Sequence, residues 1–135
     1  LLPFLILLQT LVMFGIMLIV SALNVFYRDI ASIAEIFLTA WFYLTPIIYP
    51  VNFVREALAD RGHTELYWLY LTNPMTPLIV AYRRVIYGRL FEGGPEISDR
   101  TLMLGLGITV AFTLIVLLVG TKLFRYYSTK FADEL

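Results

Sequence analysis

The chain has 135 residues, of which 60% are hydrophobic and 15% are charged, and its formal net charge is zero. A soluble domain is typically about 45–50% apolar and about 25% charged, so the apolar excess here is more than a core of this size buries. This composition indicates a lipid environment, and zero net charge gives no bulk attraction to nucleic acid. The absence of cysteine excludes disulfides and cysteine-ligated metals, and no metal site is expected.

The first apolar segment, residues 1–23, contains no charged residue. About 20 apolar residues cross the hydrocarbon core as a helix, so this segment is predicted to be a transmembrane helix. It lacks the basic region and the small-residue cleavage site of a secretory signal. Because the chain is apolar from Leu1 onward, we expect it to be the C-terminal portion of a larger protein.

A short polar turn, residues 24–29, connects this span to the next apolar segment. The residues of this turn that are candidates for a contact are Asn24, Tyr27, Arg28 and Asp29. So few residues between two spans require the turn to lie at one membrane face. The turn is either a plain solvated loop, in which an exposed ion pair contributes little, or a short docking surface for a cytoplasmic partner.

Residues 30–49 form the second predicted span and carry one carboxylate, Glu35. A charge inside a span is costly unless it lies near the headgroups or faces a polar neighbour, so Glu35 is interpreted as an interfacial residue. Four aromatic residues lie in the far half of this span, namely Trp41, Phe42, Tyr43 and Tyr49. They indicate either an interfacial belt with packing contacts or a surface on which sugar rings stack along a conduit.

Two prolines, Pro46 and Pro50, close the second span. Neither has the N–H that continues a helical ladder, and each disfavours helical geometry in the residue before it. The helix is therefore expected to kink or end near Thr45. The carbonyl groups freed in this way need protein or water around them, which favours a site inside a bundle or at an exit vestibule.

Residues 51–100 are too polar to form a simple span. The pattern predicts a short amphipathic helix over residues 51–58 and a second short helix over residues 65–71. The second helix is rich in aromatic residues, namely Tyr67, Trp68 and Tyr70. These three join the aromatic residues of the second span as candidates for a conduit or gate.

Pro74 and Pro77 are predicted to break the chain before a further helix over residues 78–87. The uncharged stretch around them, residues 66–82, has 17 residues and a central Asn-Pro. Such a stretch fits a re-entrant or surface-lying pair of helices better than a full crossing.

Arg83 and Arg84 follow this stretch directly. They either snorkel to the interface from a helix end or contact an anionic phosphate through the planar guanidinium fork. The single histidine, His63, lies in a turn with no second ligand at suitable spacing and is interpreted as a surface residue.

Residues 101–121 are the third predicted span, which Ser98 or Asp99 would cap. Gly105 and Gly107 offer close helix packing. Basic residues in the tail beyond this span favour a cytoplasmic C-terminus, whereas the arginines of residues 51–100 favour the opposite orientation, so charge counting leaves the topology open.

Four short motifs in order along the chain resemble a known family. They are LNVFYRDI at 23–30, LTPIIYP at 44–50, LTNPM at 71–75 with Tyr82-Arg83 after it, and FADEL at 131–135. Together they resemble the permease subunits of ABC-2 type transporters that export polysaccharides such as O-antigen, capsule or teichoic acid. The resemblance covers nearly the whole chain and corresponds to the C-terminal half of such a permease.

The resemblance implies an all-α integral membrane fold with three spans in the inner membrane of a bacterium or archaeon. It places residues 50–100 outside, as short re-entrant or amphipathic gate helices, and the C-terminus in the cytoplasm. It also implies a permease homodimer with two ATPase subunits, which would bind ATP and Mg, so no cofactor is expected on this chain. The turn at residues 24–29 would contact the ATPase.

The resemblance further implies a lipid-linked polysaccharide substrate with a phosphate or pyrophosphate link. Arg83 and Arg84 are then candidate phosphate contacts, and the aromatic residues are candidate contacts along the conduit. Surrounding membrane lipids would be the remaining partners.

Two other functions are weighed against a transport permease. A membrane glycosyl- or acyltransferase would use Glu35, His63 or Asp99, but it requires an acid–base constellation on one face that these residues do not build. A purely structural membrane subunit is the third possibility. The chain has no Walker A motif, so ATP hydrolysis is expected on a separate subunit, and no enzymatic activity is expected here.

Overall fold

A computed structural model describes residues 1–25, 27, 29–62, 64–87 and 97–131. The described residues form six α-helices: α1 (Leu2–Asn24), α2 (Ile30–Leu44), α3 (Val51–Asp60), α4 (Thr64–Thr72), α5 (Met75–Tyr87) and α6 (Asp99–Phe131). No strand occurs within these ranges, so the all-α prediction is confirmed for them.

Among the described residues, two helices are long and apolar enough to cross a membrane, namely α1 and the Asp99–Tyr127 portion of α6. Helix α2 is apolar but has only 15 residues. At 1.5 Å per residue it is about 22 Å long, shorter than the hydrocarbon core of about 30 Å. In the described residues, two of the three predicted spans therefore form a helix long enough to cross a membrane.

Helix α2 ends where the sequence predicts. It stops at Leu44, and Thr45 is extended at φ −98° and ψ 136°, so the expected kink or end near Thr45 is confirmed, and the predicted span to residue 49 includes five residues beyond the helix. The cause is Pro46, which cannot donate to the helical ladder and forces its predecessor out of the helical region.

Helix α6 is longer than the predicted span over residues 101–121. It begins after Ser98, whose Oγ accepts a hydrogen bond from the Thr101 backbone N–H at 3.3 Å, the geometry of an N-cap. It continues to Phe131, so the described part of the basic tail is helical.

Helices α1 and α6 form the main helix pair, and they run parallel. A Cβ built on Gly15 would lie 2.8 Å from Val116 Cγ1, and one built on Gly120 would lie 3.0 Å from Leu18 Cβ. Residue numbers thus rise together along both helices. The first residues of α1 and α6 lie at one end of the pair, and the turn after α1 lies at the other end with the last part of α6.

Helix α5 lies against the beginnings of α1 and α6 and runs antiparallel to α6. Pro77 contacts α6 beside Gly105, and Arg84, further along α5, pairs with Asp99 at the start of α6. The buried cluster at this end consists of Leu5, Leu8, Val51, Leu71, Leu78, Val80, Ala81, Ile97 and Leu102. Helix α5 is thereby part of the core and not a surface attachment.

The break between α4 and α5 lies at Asn73-Pro74, since α4 ends at Thr72 and α5 starts at Met75. The sequence predicts a second break at Pro77, and the structure differs there. Pro77 is in the first turn of α5, where a missing N–H removes no helical hydrogen bond.

Candidate functional site at the broken end of helix α2

The structure describes residues 24, 25, 27 and 29 of the polar turn between α1 and α2. Asn24 is the last residue of α1, and Asp29 occupies the N-cap position of α2 without a side-chain capping bond. Tyr27 is exposed, while its backbone N–H donates to Leu23 O at 3.1 Å. Arg28 lies outside the described residues. Contact of this turn with an ATPase stays a prediction.

The broken end of α2, residues 41–50, contains backbone carbonyl groups that proline leaves without their helical donors. Pro46 cannot donate to Phe42 O, and Pro50 cannot donate to Pro46 O. Thr45 N compensates in part by donating to Phe42 O at 3.2 Å. Backbone N–H groups also bond Thr45 O and Pro50 O. Six other carbonyl groups of this segment, those of residues 41, 43, 44, 46, 47 and 49, accept hydrogen bonds from side chains.

Two of these donors belong to the broken end itself. Thr45 Oγ1 donates to Trp41 O at 2.8 Å, and Tyr49 Oη donates to Tyr43 O at 2.7 Å. The hydroxyl of Tyr49 thus stabilises the segment that carries it, whereas the side chain of Tyr43 is exposed.

A third donor, Asn73, reaches this segment from the corner between α4 and α5. Its Nδ2 donates to Leu44 O and to Thr45 Oγ1, each at 3.3 Å. Its Oδ1 accepts from Trp41 Nε1 at 2.9 Å and from Met75 N at 3.1 Å. One amide therefore joins the end of α2 to the α4–α5 corner on both its donor and its acceptor side.

Arg83 of α5 supplies the largest set of bonds. Its Nη2 lies 2.5 Å from Pro46 O, 3.0 Å from Ile47 O and 3.2 Å from Tyr49 O. These include the carbonyl whose helical donor Pro50 removes. The half-buried guanidinium thus donates hydrogen bonds to backbone oxygens here. Its contact with a substrate phosphate stays a prediction.

Arg84 points to a different element. It forms an ion pair with Asp99 and donates from Nη2 to Ile97 O at 2.9 Å, both at the start of α6. The two adjacent arginines therefore fasten α5 to two different segments. A phosphate contact by Arg84 likewise stays a prediction.

Helix α6 supports the corner from behind. Thr109 Oγ1 donates to Pro74 O at 2.7 Å, and a Cβ built on Gly105 would lie 2.7 Å from Pro77 Cβ. Thr109 lies ten residues into α6 (109 − 99), about 15 Å along its axis from Asp99. The α4–α5 corner therefore lies well inside the length of α6, whereas the Arg84 end of α5 lies at its start.

The aromatic candidates divide into two groups. Trp41 and Tyr70 line an apolar groove of about 480 Å³ between α2 and α4, together with Phe37, Ala40, Leu66 and Leu69. Trp41 also makes an edge contact with Phe112 of α6, with ring centroids 6.1 Å apart. Tyr67 and Trp68 contact each other on α4, and Trp68 is largely exposed. Stacking of sugar rings on any of them stays a prediction.

The carboxylates weighed for catalysis do not converge. Glu35 is exposed in a groove that it shares with Val20, near the end of α1. Asp99 is the first residue of α6, at the other end of the parallel α1–α6 pair. His63 lies outside the described residues. Glu35 and Asp99 therefore provide no common acid–base site for the transferase alternative.

The sequence does not predict the roles of Asn73 and Thr109. For Arg83 it predicts snorkelling or a phosphate contact, and not bonds to backbone carbonyl groups. A signal for these roles was present, because the prolines of the broken end predict carbonyl groups in need of donors. Only the fold shows that the donors come from residues 28 to 37 positions further along the chain.

Comparison with known proteins defines the class of this chain. The model of the ABC-2 type transporter family matches residues 1–87, so the chain belongs to this family. The matched residues include the polar turn, the broken end of α2 and both Asn73 and Arg83. With its two membrane-length helices, the chain is a membrane protein, and the resemblance drawn from its motifs is confirmed.

Individual relatives narrow the class. The chain is 25% identical over 134 residues to the O-antigen export system permease protein RfbA of Myxococcus xanthus. The aligned region covers 98% of this chain and 45% of that protein. The chain is 29% identical over 128 residues to a protein of the same name from Klebsiella pneumoniae, covering 94% and 42%. The chain thus spans less than half the length of the curated relatives it matches. No solved structure matches it significantly.

Proposed function

We propose that the chain is part of the permease subunit of an ATP-driven exporter that moves a lipid-linked polysaccharide across the inner membrane of a bacterium or archaeon. The observation that carries this proposal is similarity to O-antigen export permeases along 94–98% of the chain. The substrate would be of the O-antigen, capsule or teichoic acid type. The chain would perform no chemistry, and ATP and Mg would be bound by a separate ATPase.

The helix directions support a topology with three crossings. Because α1 and α6 run parallel, the chain must cross the membrane once more in the opposite direction after α1 and before α6. Helix α2, together with the turn at residues 45–50 that follows it, would make this crossing. The outer face would lie at the starts of α1 and α6, so the polar turn and the C-terminus would be cytoplasmic.

The same geometry supports a re-entrant hairpin formed by α4 and α5. Its corner at Asn73-Pro74 lies beside Thr109, about 15 Å along α6, while Arg84 returns to Asp99 at the start of α6. The hairpin would enter from the outer face and return to it. Residues 50–100 would then form the outer gate.

The exposed surfaces support the proposed partners. The described residues of α2 include none that is buried, and α1 exposes Phe4, Leu7, Met13, Phe14 and Met17. Apolar surface of this extent suits lipid, the remaining spans of a permease and a second permease copy. The exposed Tyr27, in the turn with Asn24 and Asp29, supports docking of an ATPase, with two ATPases per permease dimer.

The experiment is reconstitution of the full-length permease with the ATPase encoded beside it. We expect the two to co-purify and to move lipid-linked polysaccharide into proteoliposomes only when ATP and Mg are present. Failure to transport with an intact complex would contradict the proposal. Sugar or acyl transfer by the permease without an ATPase would instead support the transferase alternative.

A variant of the polar turn tests the docking role separately. Arg28→Ala with Asp29→Ala should abolish co-purification and export. Asp60→Ala, which removes an exposed carboxylate at the end of α3, is the matched control and should leave both intact. Unchanged ATPase coupling in the double variant would remove the docking role from this turn.

A further inference from the structure

We propose that Asn73 and Arg83 are positioning residues that anchor the broken end of α2 to the α4–α5 hairpin and make that end the pivot about which α2 tilts during transport. This inference deepens the proposed function, and its part about movement during transport rests on that function. The anchor itself is a statement about the fold and can be tested without any transport.

The first step of the argument is the bonding of the broken end. Asn73 bonds the side chain of Trp41, the carbonyl of Leu44 and the hydroxyl of Thr45. Arg83 bonds three further carbonyl groups between residues 46 and 49. Arg83 thus replaces the hydrogen bond to Pro46 O that Pro50 removes, and the hairpin supplies donors to further carbonyl groups beyond the end of the helix. Away from water such carbonyl groups have no other donors, so these bonds are strongly favoured.

The second step is that the hydrogen bonds between α2 and the other described helices gather at the broken end. No described residue of α2 is buried. The ring centroid of Trp41 lies 5.6 Å from that of Phe37 and 6.1 Å from that of Phe112 of α6, and the centroids of Phe42 and Tyr43 lie 5.5 Å apart. These contacts also lie in the half of α2 that Asn73 holds. A groove of about 720 Å³ runs along α2 from Ala31 to Tyr43, beside Val20 of α1. The broken end is therefore the fastened end of α2.

The third step is that the anchor belongs to a fixed body. Thr76, Leu78, Val80 and Ala81 of α5 are buried against the starts of α1 and α6. The corner before them is bonded to Thr109. A displacement of the polar turn would therefore rotate α2 about residues 44–49 and would not drag the hairpin with it. The residues near the pivot, including Trp41 and Tyr49, would change their direction while staying in place.

Distance measurements between spin labels test the anchor in the full-length permease. One pair, Ile48→Cys with Ile86→Cys, spans the anchor, and a second pair, Ile36→Cys with Leu118→Cys, spans the far half of α2. All four side chains are exposed, so the labels fit. We expect a narrow distribution for the anchor pair that stays the same without nucleotide and with trapped ATP. The far pair should shift between the two states.

Loss of the anchor should then be visible without transport. Arg83→Ala and Asn73→Ala should each broaden the anchor-pair distribution in the nucleotide-free permease. Arg84→Ala is the matched control for this distance, because Arg84 bonds α6 and not the end of α2, and it should keep the distribution narrow. A narrow distribution in Arg83→Ala, or an anchor pair in the wild type that shifts as much as the far pair, would overturn the proposal.

A conservative variant separates charge from geometry. Arg83→Lys keeps a positive charge and a long stem but replaces the planar fork with a compact ammonium group. We expect it to broaden the anchor-pair distribution as well. A wild-type distribution in this variant would show that charge alone suffices, and it would overturn the assignment to the three carbonyl groups.

The last readout distinguishes a pivot from a general structural role. In the reconstituted complex, Arg83→Ala should retain most ATP hydrolysis but lower export about tenfold, the change in an equilibrium constant that an unsatisfied polar group produces. A proportional fall in both would mean that Arg83 serves assembly, and the proposal would fail. If the wild type itself exports nothing, the proposed function fails, whereas the label distances still decide the anchor.

Discussion

The contact between α1 and α6 and the attachment of α2 use opposite means of holding helices together. Gly15 and Gly120 bring α1 and α6 so close that added Cβ atoms would meet Val116 and the Gly15 carbonyl oxygen at 2.8 and 2.9 Å. Helix α2 has no buried residue among those described and is fastened at its end by side-chain hydrogen bonds.

The difference teaches which part of the molecule tolerates movement. A contact made by backbone close approach loses its fit as soon as the helices shift, because dispersion contacts fall off over fractions of an ångström. Hydrogen bonds gathered at one end of a helix allow the rest of that helix to rotate. The α1–α6 pair is thus suited to be the frame, and α2 is suited to be the lever.

The largest effect is expected from a change that breaks the frame. Gly120→Leu would place a Cβ 2.9 Å from Gly15 O and 3.0 Å from Leu18 Cβ, and backbone cannot yield without separating the helices. We expect the free energy of unfolding to fall by about 3 kcal/mol, the upper range for overpacking. Size-exclusion chromatography and thermal unfolding of the full-length permease measure it.

Gly107→Leu is the control for this change. It lies on the same helix, but a Cβ there meets no atom within 4 Å. Equal losses in the two variants would show that the close approach does not hold the frame.

A smaller effect is expected at the attachment of α2. Trp41→Phe keeps an aromatic ring beside Phe112 but removes the donor to Asn73. We expect the free energy of unfolding to fall by about 2 kcal/mol, because one hydrogen bond and part of a ring are lost. Export should fall more than assembly. Trp68→Phe, at an exposed tryptophan, is the matched control. If export and assembly decline together, Trp41 serves packing alone.

The contact between the hairpin and the frame should be weaker still. Thr109→Val removes the hydroxyl that donates to Pro74 O, with an expected loss of about 1 kcal/mol in thermal unfolding. Thr113→Val is the control, since the buried Thr113 hydroxyl donates within its own helix to Thr109 O at 2.7 Å. A loss of equal size in the control would contradict a role for the bond between helices.

The smallest effect is expected at the ion pair of α5 and α6. Asp99→Asn should change the free energy of unfolding by about 0.5 kcal/mol or less, because Asp99 is 83% exposed and solvent screens the pair. Unfolding of wild type and variant in low and high salt measures the difference. A loss several times larger would make this pair a structural bond of the frame.

Much of the fold could be predicted because the signals are local. An uncharged apolar run specifies α1 and most of α6, and missing N–H groups at Pro46 and Pro50 place the end of α2 near Thr45. The apolar run continues to Tyr49, so the predicted span is longer than the helix, which ends at Leu44.

The sequence predicts that glycines allow close contacts between helices, but it does not predict which glycine makes such a contact. Gly105 and Gly107 both offer close packing by sequence, but they are about 200° apart around the helix, so only one of them can face α5. The structure selects Gly105, beside Pro77, and leaves Gly107 open. The phase of a helix relative to its neighbour depends on the whole bundle and cannot be read from one segment.

The candidate site shows the same limit. The need for donors at the broken end follows from the prolines, but Asn73 and Arg83 are distant in sequence. An arginine fork suits a phosphate and a set of carbonyl groups equally well, so residue type could not distinguish the two. The proximity of α5 to residues 46–49 shows the contacts with carbonyl groups, and a phosphate contact stays a prediction.

The separation of 37 positions between Pro46 and Arg83 also has a consequence for biosynthesis. At 5–20 residues per second, the ribosome adds these residues in about 2–7 s. During the same interval after emergence from the ribosome, α2 carries carbonyl groups for which the Arg83 donor has not yet emerged. The nascent chain should therefore hold this segment beside the water-filled insertion channel until α5 arrives, and translation stalled after residues 46–49 have emerged but before Arg83 has emerged should leave them accessible to water-soluble labels.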